Sequence, residues 1–300
     1  MIDSKLITLL TVYETKSFTK TAERLSLTQP AISQHIKQLE KEYDIKIFNR
    51  TENELKPTNK GEILIKYAKR ILSLYQNLEQ ALEDETRHTA SISIGITRTS
   101  ESNIVAEVLA MYGSAKEGVK ITMISDAINN LYTKLKNYEL DLAIVEGMVS
   151  DPSINSLLLD TDSLVLVVSK DNPLAKKSMA TIQDIKKEKL ILRLPDSGTR
   201  NLFVAHLESH NLSLDEFNVV LEVDNIATIK DLIRRDFGVS VLARSACMDE
   251  LKKGKLTALP VENLSMIREI NILYHRNFEH IDILRDIIKM YNDTIKKYRI

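Results

Sequence analysis

The stretch SFTKTAERLSLTQPAISQHIKQLEKEYDIKIFNR, residues 17–50, decides how the rest of the chain is interpreted. Apolar residues recur at helical spacing between positions 18 and 25, directly after Ser17, whose hydroxyl can accept a hydrogen bond from a first-turn N–H. Residues 26–28 then break that spacing. We therefore predict a short helix over residues 18–25, followed by a turn of three residues.

A second helix is predicted to begin after this turn and to run to about Tyr43. Thr28 can cap it, and Pro30 fits its first turn because an N–H there would have no intrahelical partner. One side is apolar, and the other carries Gln29, Ser33, Gln34 and Lys37. Two short helices with such a polar second member are typical of a helix-turn-helix that reads a DNA major groove. The same spacing also fits a small helical bundle that binds protein or nothing.

Two short strands are predicted after this pair of helices. Residues 46–50 and 54–58 are interpreted as these strands, on either side of a polar tip at 51–53. This arrangement is a wing beside the helix-turn-helix. Arg50 would neutralise a DNA phosphate there, as Lys37 would from the second helix.

These motifs together resemble the LysR-type bacterial transcription regulators. The residues that carry the resemblance are Ser17-Phe18, Ala22-Glu23-Arg24-Leu25, Thr28-Gln29-Pro30-Ala31-Ile32-Ser33, Ile36-Lys37-Gln38-Leu39-Glu40, Phe48-Asn49-Arg50 and Pro57-Thr58-Asn59-Lys60-Gly61. One segment departs from the pattern: residues 43–46, YDIK, stand where a Leu-Gly turn is usual. The resemblance implies DNA binding through Gln29, Pro30, Ser33, Gln34, Lys37 and Arg50.

The charge is unevenly distributed along the 300 residues. Residues 1–70 contain 13 Lys and Arg against 9 Asp and Glu, a net charge of +4, whereas the remainder contains 28 against 33, a net charge of −5. A basic head on an acidic body is consistent with DNA binding at the N-terminal end only. The single Cys247 excludes an internal disulfide and a cysteine-based metal cluster. The chain shows no export signal and no apolar run near the roughly 18 residues of a membrane span, so we expect a cytoplasmic protein without a membrane partner.

A long helix is predicted from Asn59 to about Thr86. Its apolar residues form a continuous stripe that one helix cannot cover by itself. A second copy of the chain would cover the stripe, and the family resemblance implies a dimer through this helix. Alternatively, the stripe packs on the C-terminal body of the same chain.

From about Ala90 onward, apolar strand-forming runs alternate with helical ones. This alternation predicts βαβ units around a mainly parallel sheet, repeated in two lobes. The resemblance implies an α/β fold with an N-terminal winged helix-turn-helix, a long linker helix and a two-lobed periplasmic-binding-protein-like effector domain. The expected boundaries are 1–58 for the DNA-binding domain, 59–88 for the linker, and 89–300 for the effector domain, with lobe 1 at about 89–161 and 268–300 and lobe 2 at about 162–267.

Two polar turns follow predicted strands, one in each lobe. They contain Thr97, Arg98, Thr99 and Ser100 in the first, and Ser197, Gly198, Thr199 and Arg200 in the second. Hydroxyls, a helix N-terminus and arginines suit an anion. The family binds its effector between the lobes against these segments. Each turn alone could equally be an ordinary helix cap. Residues 146–147 and 225–228 are secondary candidates.

Other kinds of site find little support. His206 and His210 are one helical turn apart but have no third ligand at a suitable spacing. No catalytic constellation or phosphate loop is present, so we expect no enzyme, no metal and no cofactor. The expected function is a sequence-specific transcriptional regulator whose partners are double-stranded promoter DNA, a small anionic effector, and further copies in a homodimer or homotetramer. The alternative is a two-lobed solute-binding protein or enzyme that does not bind DNA.

Overall fold

The chain divides into two compact units. A computed structural model describes residues 3–50, 55–101, 104–147 and 151–298, and the side chain of Arg50 lies outside the described part. The first unit comprises residues 1–88 together with 136–139, and the second comprises residues 89–135 and 140–300.

The first unit begins with three helices around a small apolar core. They are α1 (Ser4–Thr15), α2 (Phe18–Leu25) and α3 (Gln29–Glu42). Leu9, Ile32 and Leu39 are almost completely buried where these helices meet. The prediction for residues 18–25 is confirmed, and the second helix ends one residue earlier than expected because Tyr43 is its C-cap.

A two-stranded wing and a long helix complete this unit. The antiparallel strands are β1 (Phe48–Arg50) and β2 (Leu55–Pro57), which are shorter than predicted. The predicted tip at 51–53 lies outside the described residues. The long helix α4 (Asn59–Arg87) confirms the expected element and extends it by one residue.

The second unit alternates strands and helices, as the sequence predicts. Its first part contains β3 (Ala90–Thr97), α5 (Arg98–Glu101), α6 (Ile104–Ala115), β4 (Val119–Asp126), α7 (Ile128–Lys136), β5 (Leu142–Glu146) and β6 (Ile154–Ser169). The next part contains α8 (Ile182–Lys187), β7 (Leu190–Arg193), α9 (Gly198–Ser209), β8 (Val219–Val223), α10 (Ile226–Arg234), β9 (Ser240–Ala243), α11 (Met248–Lys252) and β10 (Leu256–Leu259). The chain closes with β11 (Ile267–His275) and α12 (Ile281–Ile295).

Two lobes share the long strand β6. Its first half pairs with β11, which continues through β5 and β3 to β4; these elements with α5, α6, α7 and α12 form lobe 1. Its second half pairs with β9 and β10, and together with β7, β8 and the helices α8–α11 these form lobe 2. Helix α12 packs against α6, so the chain returns to lobe 1 at its end, as predicted.

Several details differ from the sequence-based predictions. The sheet is mixed rather than mainly parallel, because β6 and β11 cross between the lobes and run antiparallel to their neighbours. The segment after β3 contains the short α5 and then α6, and residues 102–103 are outside the described part. Helix α11 is preceded by a 3-10 turn, Arg244–Cys247, and strand β10 was not predicted.

Candidate functional site

Helix α3 presents a polar surface on the side away from the core. Ile32, Ile36 and Leu39 are buried against α1 and α2. The predicted base-reading side chains lie opposite: Gln29, Pro30, Gln34 and Lys37 are exposed, and Ser33 is half-buried. Amide groups can pair with adenine edges, and a lysine can neutralise a phosphate. The exposed face therefore has the chemistry that reading a major groove requires.

Short-range hydrogen bonds define where α2 and α3 begin, and a further contact joins α3 to α1. The hydroxyl of Ser17 accepts from Lys20 N at 3.3 Å, and that of Thr28 accepts from Ala31 N at 3.4 Å, so both predicted N-caps are present. Between the helices, Ser26 adopts a left-handed conformation with φ 53°. A third contact joins α3 to α1, where Thr8 Oγ1 lies 2.8 Å from His35 Nδ1. Helix α3 is thus anchored at its start by Thr28 and along its length by the contact of His35 with α1.

The wing is fastened to the end of α3 through Glu40. Its carboxylate accepts from Ile47 N at 2.9 Å and forms an ion pair with Lys46 at 3.1 Å. Glu40 thereby fixes the start of the wing although residues 43–46 lack the family's usual turn. Arg50 ends β1 opposite Leu55, and the predicted phosphate contact of its side chain lies outside the described residues.

Helix α4 carries an apolar stripe that its own unit leaves exposed. Six large side chains spaced three or four residues apart are between 48% and 63% exposed: Ile63, Tyr67, Ile71, Leu74, Leu78 and Leu82. This spacing repeats along one face of a helix, as in a coiled-coil seam. The stripe therefore fits a partner helix.

In the second unit, the first predicted effector turn is built around Glu146. Thr97 Oγ1 donates to Glu146 Oε1 at 2.8 Å, and Ser100 Oγ lies 3.4 Å from the same oxygen. Thr97 also accepts from Ser100 N at 3.1 Å, so it caps α5 as well. Thr99 and Ser100 are buried. The hydroxyl of Thr97 therefore caps α5 and also donates a hydrogen bond to the carboxylate of Glu146.

The two arginines of the predicted turns both form ion pairs with carboxylates. Arg98 forms a short ion pair with Asp224, which bridges lobe 1 and lobe 2. Arg200 binds Glu222 at 2.6 Å and the carbonyl oxygen of Arg193 at 3.1 Å. Arg98 and Arg200 are thus each paired with a carboxylate, and an anionic effector that binds them would compete with Asp224 and Glu222.

The second turn faces lobe 1 through its backbone. Ser197 occupies the N-cap of α9, but its side chain makes no capping hydrogen bond. A Cβ on Gly198 would lie 3.6 Å from Ile128 of lobe 1, so the turn comes close to the opposite lobe. Thr199 is buried. For Ser197, the alternative of an ordinary cap is thus not supported, whereas Asn225 does cap α10 through Thr228 N at 3.0 Å.

Arg268, which the sequence analysis did not select, connects the two turns. Its side chain is 7% exposed and lies on the crossover strand β11. The Nη1 atom is 3.4 Å from Thr199 Oγ1, and Nη2 is 3.5 Å from Asp162 and 3.8 Å from Glu146. Arg268 therefore lies between residues of both lobes.

Arg193 is a second buried arginine that the sequence analysis missed. It ends β7 with a side chain only 3% exposed, and its Nη2 donates to Asp224 at 3.4 Å. Burial lowers the pKa of this guanidinium and Asp224 opposes the shift. The signal in the sequence was a single charge inside the apolar run of residues 190–194. We refer to Thr97, Arg98, Ser100, Glu146, Arg193, Thr199, Asp224 and Arg268 as the interlobe site.

The described residues contain no arrangement of three His, Cys, Asp or Glu side chains that could hold a metal ion. His210 Nδ1 lies 2.9 Å from the backbone oxygen of His206 rather than facing a shared ligand with it. Among the helices that the structure describes, none combines the length and the apolar character needed to cross a bilayer.

Family models match both ends of the chain. The model described as "Bacterial regulatory helix-turn-helix protein, lysR family" matches residues 4–62, and "LysR substrate binding domain" matches residues 86–295. A "Probable RuBisCO transcriptional regulator" of Thalassiosira pseudonana is 28% identical over 86% of each chain. An uncharacterized HTH-type transcriptional regulator of Methanocaldococcus jannaschii is 29% identical over 90% of this chain and 91% of that protein.

Solved structures share the fold over nearly the whole length. CbnR in complex with its target DNA aligns with a TM-score of 0.68 at 15% identity, covering 98% of this chain and 100% of CbnR. A cysteine-to-aspartate variant of full-length OxyR from Pseudomonas aeruginosa aligns with a TM-score of 0.65 at 18% identity, covering 97% and 95%. The chain belongs to the lysR family of bacterial regulatory helix-turn-helix proteins, whose members are transcriptional regulators.

Proposed function

We propose that this regulator binds double-stranded promoter DNA as a homodimer or a dimer of dimers. The exposed polar face of α3 carries the proposal. Gln29, Ser33 and Gln34 would face base edges, Pro30 would start the helix against the DNA, and Lys37 and Arg50 would neutralise phosphates. The solved complex of the related-fold protein CbnR with its target DNA supports this mode of action.

The apolar stripe on α4 supports the dimer. Fully burying one Leu or Ile side chain stabilises by about 1.5 to 3 kcal/mol, and each stripe residue is about half exposed in a single chain. Pairing two copies along the helix would therefore recover a substantial free energy. It would also present two copies of α3 to a two-fold symmetric DNA site.

The interlobe site would bind a small anionic metabolite that controls DNA binding. Besides the residues of this site, we propose that the effector contacts the two polar turns beside it, which contain Thr97, Arg98, Thr99, Ser100, Ser197, Gly198, Thr199 and Arg200. We propose 1–58 as the DNA-binding domain, 59–88 as the linker, and 89–300 as the effector domain, with lobe 1 at about 89–161 and 268–300 and lobe 2 at about 162–267. A regulator of this kind acts where the chromosome is, in the cytoplasm.

The test of DNA binding is fluorescence anisotropy with the intergenic DNA next to the regulator's own gene. We expect saturable binding that weakens linearly in a plot of log affinity against log salt, and stronger binding to that DNA than to a shuffled sequence. Equal affinity for both sequences, or no binding at low salt, would refute the proposal.

The dimer is tested by Leu78→Asp, with Gln76→Asp as the matched control on the exposed side of α4. A charge in the seam should weaken dimerisation by about 100-fold or more, because it replaces apolar burial in both copies by unpaired carboxylates. Sedimentation analysis should show monomers for Leu78→Asp and dimers for Gln76→Asp. If both variants stay dimeric at micromolar concentration, the dimer does not form through this stripe.

A further inference from the structure

Arg193 lacks partners for most of its hydrogen-bonding groups. Of its three guanidinium nitrogens, only Nη2 has an acceptor, Asp224 at 3.4 Å. Among the described residues, no group accepts from Nε or Nη1, and both atoms are shielded from solvent. Nε of Arg268, another residue of the interlobe site, is also buried without an acceptor among the described residues. Each of these two arginines thus has at least one donor that is available to a ligand.

The guanidinium of Arg193 lies at the boundary between the lobes, because its partner Asp224 is also paired with Arg98 of lobe 1. The charges that act on it include Arg98 and Glu146, both of which belong to lobe 1, besides Asp224 of its own lobe. It is more deeply buried than the ion pair beside it, in which Arg98 and Asp224 are 49% and 41% exposed.

Stability alone does not explain such a residue. Taking a guanidinium out of water is unfavourable unless its donors are satisfied, and an apolar side chain of similar size is often more stable in that position. Arg200 provides the contrast within the same lobe, since it donates to Glu222 at 2.6 Å and to a backbone carbonyl at 3.1 Å. Arg200 has the contacts of a structural arginine, and Arg193 does not.

Asp224 holds the place of a ligand in this arrangement. One carboxylate is shared between Arg98 and Arg193, and it is 41% exposed, so it can move into solvent when another anion takes its place beside Arg193. Glu146 and Asp162 lie nearby and are 6% and 4% exposed. A ligand with several negative charges would meet these carboxylates, whereas a single compact anion would not have to approach them.

We propose that Arg193 is the anion receptor of the interlobe site, and that Asp224 occupies it until a ligand with one compact anionic group replaces the aspartate. This ligand is a small molecule with a carboxylate, sulfate or phosphate group, and Arg268 contributes a second donor. The assignment rests on the proposed function of the site as an effector site, and it specifies which residue recognises the effector.

The first experiment compares thermal unfolding of full-length Arg193→Met and Arg200→Met in chloride buffer, followed by circular dichroism. Arg193→Met should melt about 2 to 4 °C higher than the unsubstituted chain, because it removes an unsatisfied buried charge. Arg200→Met should melt lower, because it breaks two good hydrogen bonds. If Arg193→Met melts as low as Arg200→Met, Arg193 is a structural residue and the proposal is wrong.

The second experiment titrates acetate, sulfate and phosphate at constant ionic strength against chloride. At least one anion should raise the Tm of the unsubstituted chain, and the anion that does so identifies the ligand group. Arg193→Met should abolish the rise, Arg193→Lys should keep part of it, and Asp224→Asn should increase it at low anion concentration. No rise with any of the three anions, or an equal rise in Arg193→Met, would overturn the proposal.

DNA affinity is measured on the same samples. A chain that responds to anions but binds no DNA would refute the regulator function and leave the receptor assignment standing. A chain that binds DNA but fails the two thermal experiments would refute the receptor assignment and leave the regulator function standing.

Discussion

Gln29 and Lys37 are both exposed on α3, yet they should affect DNA binding in different ways. An amide that pairs with a base edge contributes about 1 to 3 kcal/mol of discrimination, so Gln29→Ala should reduce the preference for the operator over altered sequences. Lys37→Ala should instead weaken binding to all sequences alike and reduce the salt slope by about one for each lysine lost, two in a dimer. Anisotropy titrations at several salt concentrations measure both effects. A change of sequence preference in Lys37→Ala with an unchanged slope would contradict these roles.

Cys247 should be unreactive in the folded protein. The thiol is buried, and burial raises its pKa to about 12. Because the thiolate is the nucleophile that attacks peroxides and disulfide reagents, a native chain at neutral pH should not react within minutes, whereas a denatured one should react fully. Labelling with a chromogenic disulfide reagent measures this. Rapid labelling of the native chain would contradict it.

The same thiol predicts a loss of stability in alkaline solution. The unfolded thiol ionises near its ordinary pKa of 9.0, and the folded one near 12. Below about pH 9 the thiol is protonated in both states, and its contribution to the free energy of unfolding is fully present. As the pH rises toward 12 this contribution is lost, because the unfolded thiol ionises while the folded one is still protonated. Denaturant titrations of the unsubstituted chain and Cys247→Ala between these values isolate the effect, since Cys247→Ala has no thiol to ionise.

Single residues also show what the sequence could and could not reveal. The exposure of Gln29, Gln34 and Lys37 followed from helical periodicity alone, because the periodicity specifies which side of a helix packs. Arg193 and Asp224 are 31 residues apart and belong to adjacent strand ends, so their pairing depends on the parallel alignment of β7 and β8. Periodicity contains no such information, and a lone charge in an apolar run was the only available signal.

At the scale of elements, the junction between the wing and α4 depends on Gly61. A Cβ at this position would lie 2.1 Å from the carbonyl oxygen of Ile47, an impossible distance without a backbone shift. That oxygen already accepts from Thr58 N at 2.8 Å, so it is not free to move. Gly61→Ala should therefore destabilise the first unit by about 1 to 3 kcal/mol and weaken DNA binding.

Gly113 is the matched control, because it lies inside helix α6 with space around it. A Cβ there would have its nearest neighbour at 3.8 Å, an ordinary contact. Gly113→Ala should leave DNA binding unchanged and stabilise the second unit by about 0.5 to 1 kcal/mol through the reduced entropy of the unfolded chain. Thermal unfolding of both variants tests the pair. Equal and small effects would show that the wing tolerates a shift at residue 61.

The order of elements was largely predictable, and the pairing of the strands was not. Alternating strand and helix patterns located β3, β4, β5, β7 and β8 and the helices between them. Strand β6 has 16 residues, passes from lobe 1 into lobe 2 and pairs antiparallel with β11. The local sequence pattern indicated only a short strand in this region. Strand β10 was missed because only four residues, two of them buried, distinguish it from a loop.

At the scale of the whole molecule, DNA binding and anion binding should be separable. The apolar core of the first unit draws its buried residues from positions 9–68, and the cores of the second unit draw theirs from position 92 onward. Each core is therefore complete within its own stretch of sequence, as an independently folding domain requires. The boundary lies near His88, which caps α4 in a left-handed conformation two residues before β3 begins.

We therefore expect two functional fragments from the chain cut at residue 88. The fragment of residues 1–88 should dimerise and bind operator DNA, because it retains α3, the wing and α4. Its affinity should lie within about threefold of the full chain's affinity, which corresponds to a difference of about 0.7 kcal/mol in binding free energy. Residues 89–300 should unfold cooperatively, keep the anion-dependent rise in Tm and bind no DNA. Arg193→Met in this fragment should abolish the rise, as in the full chain. If the DNA affinity of residues 1–88 still changed with the anion, the anion would act on the DNA-binding unit directly rather than through the interlobe site.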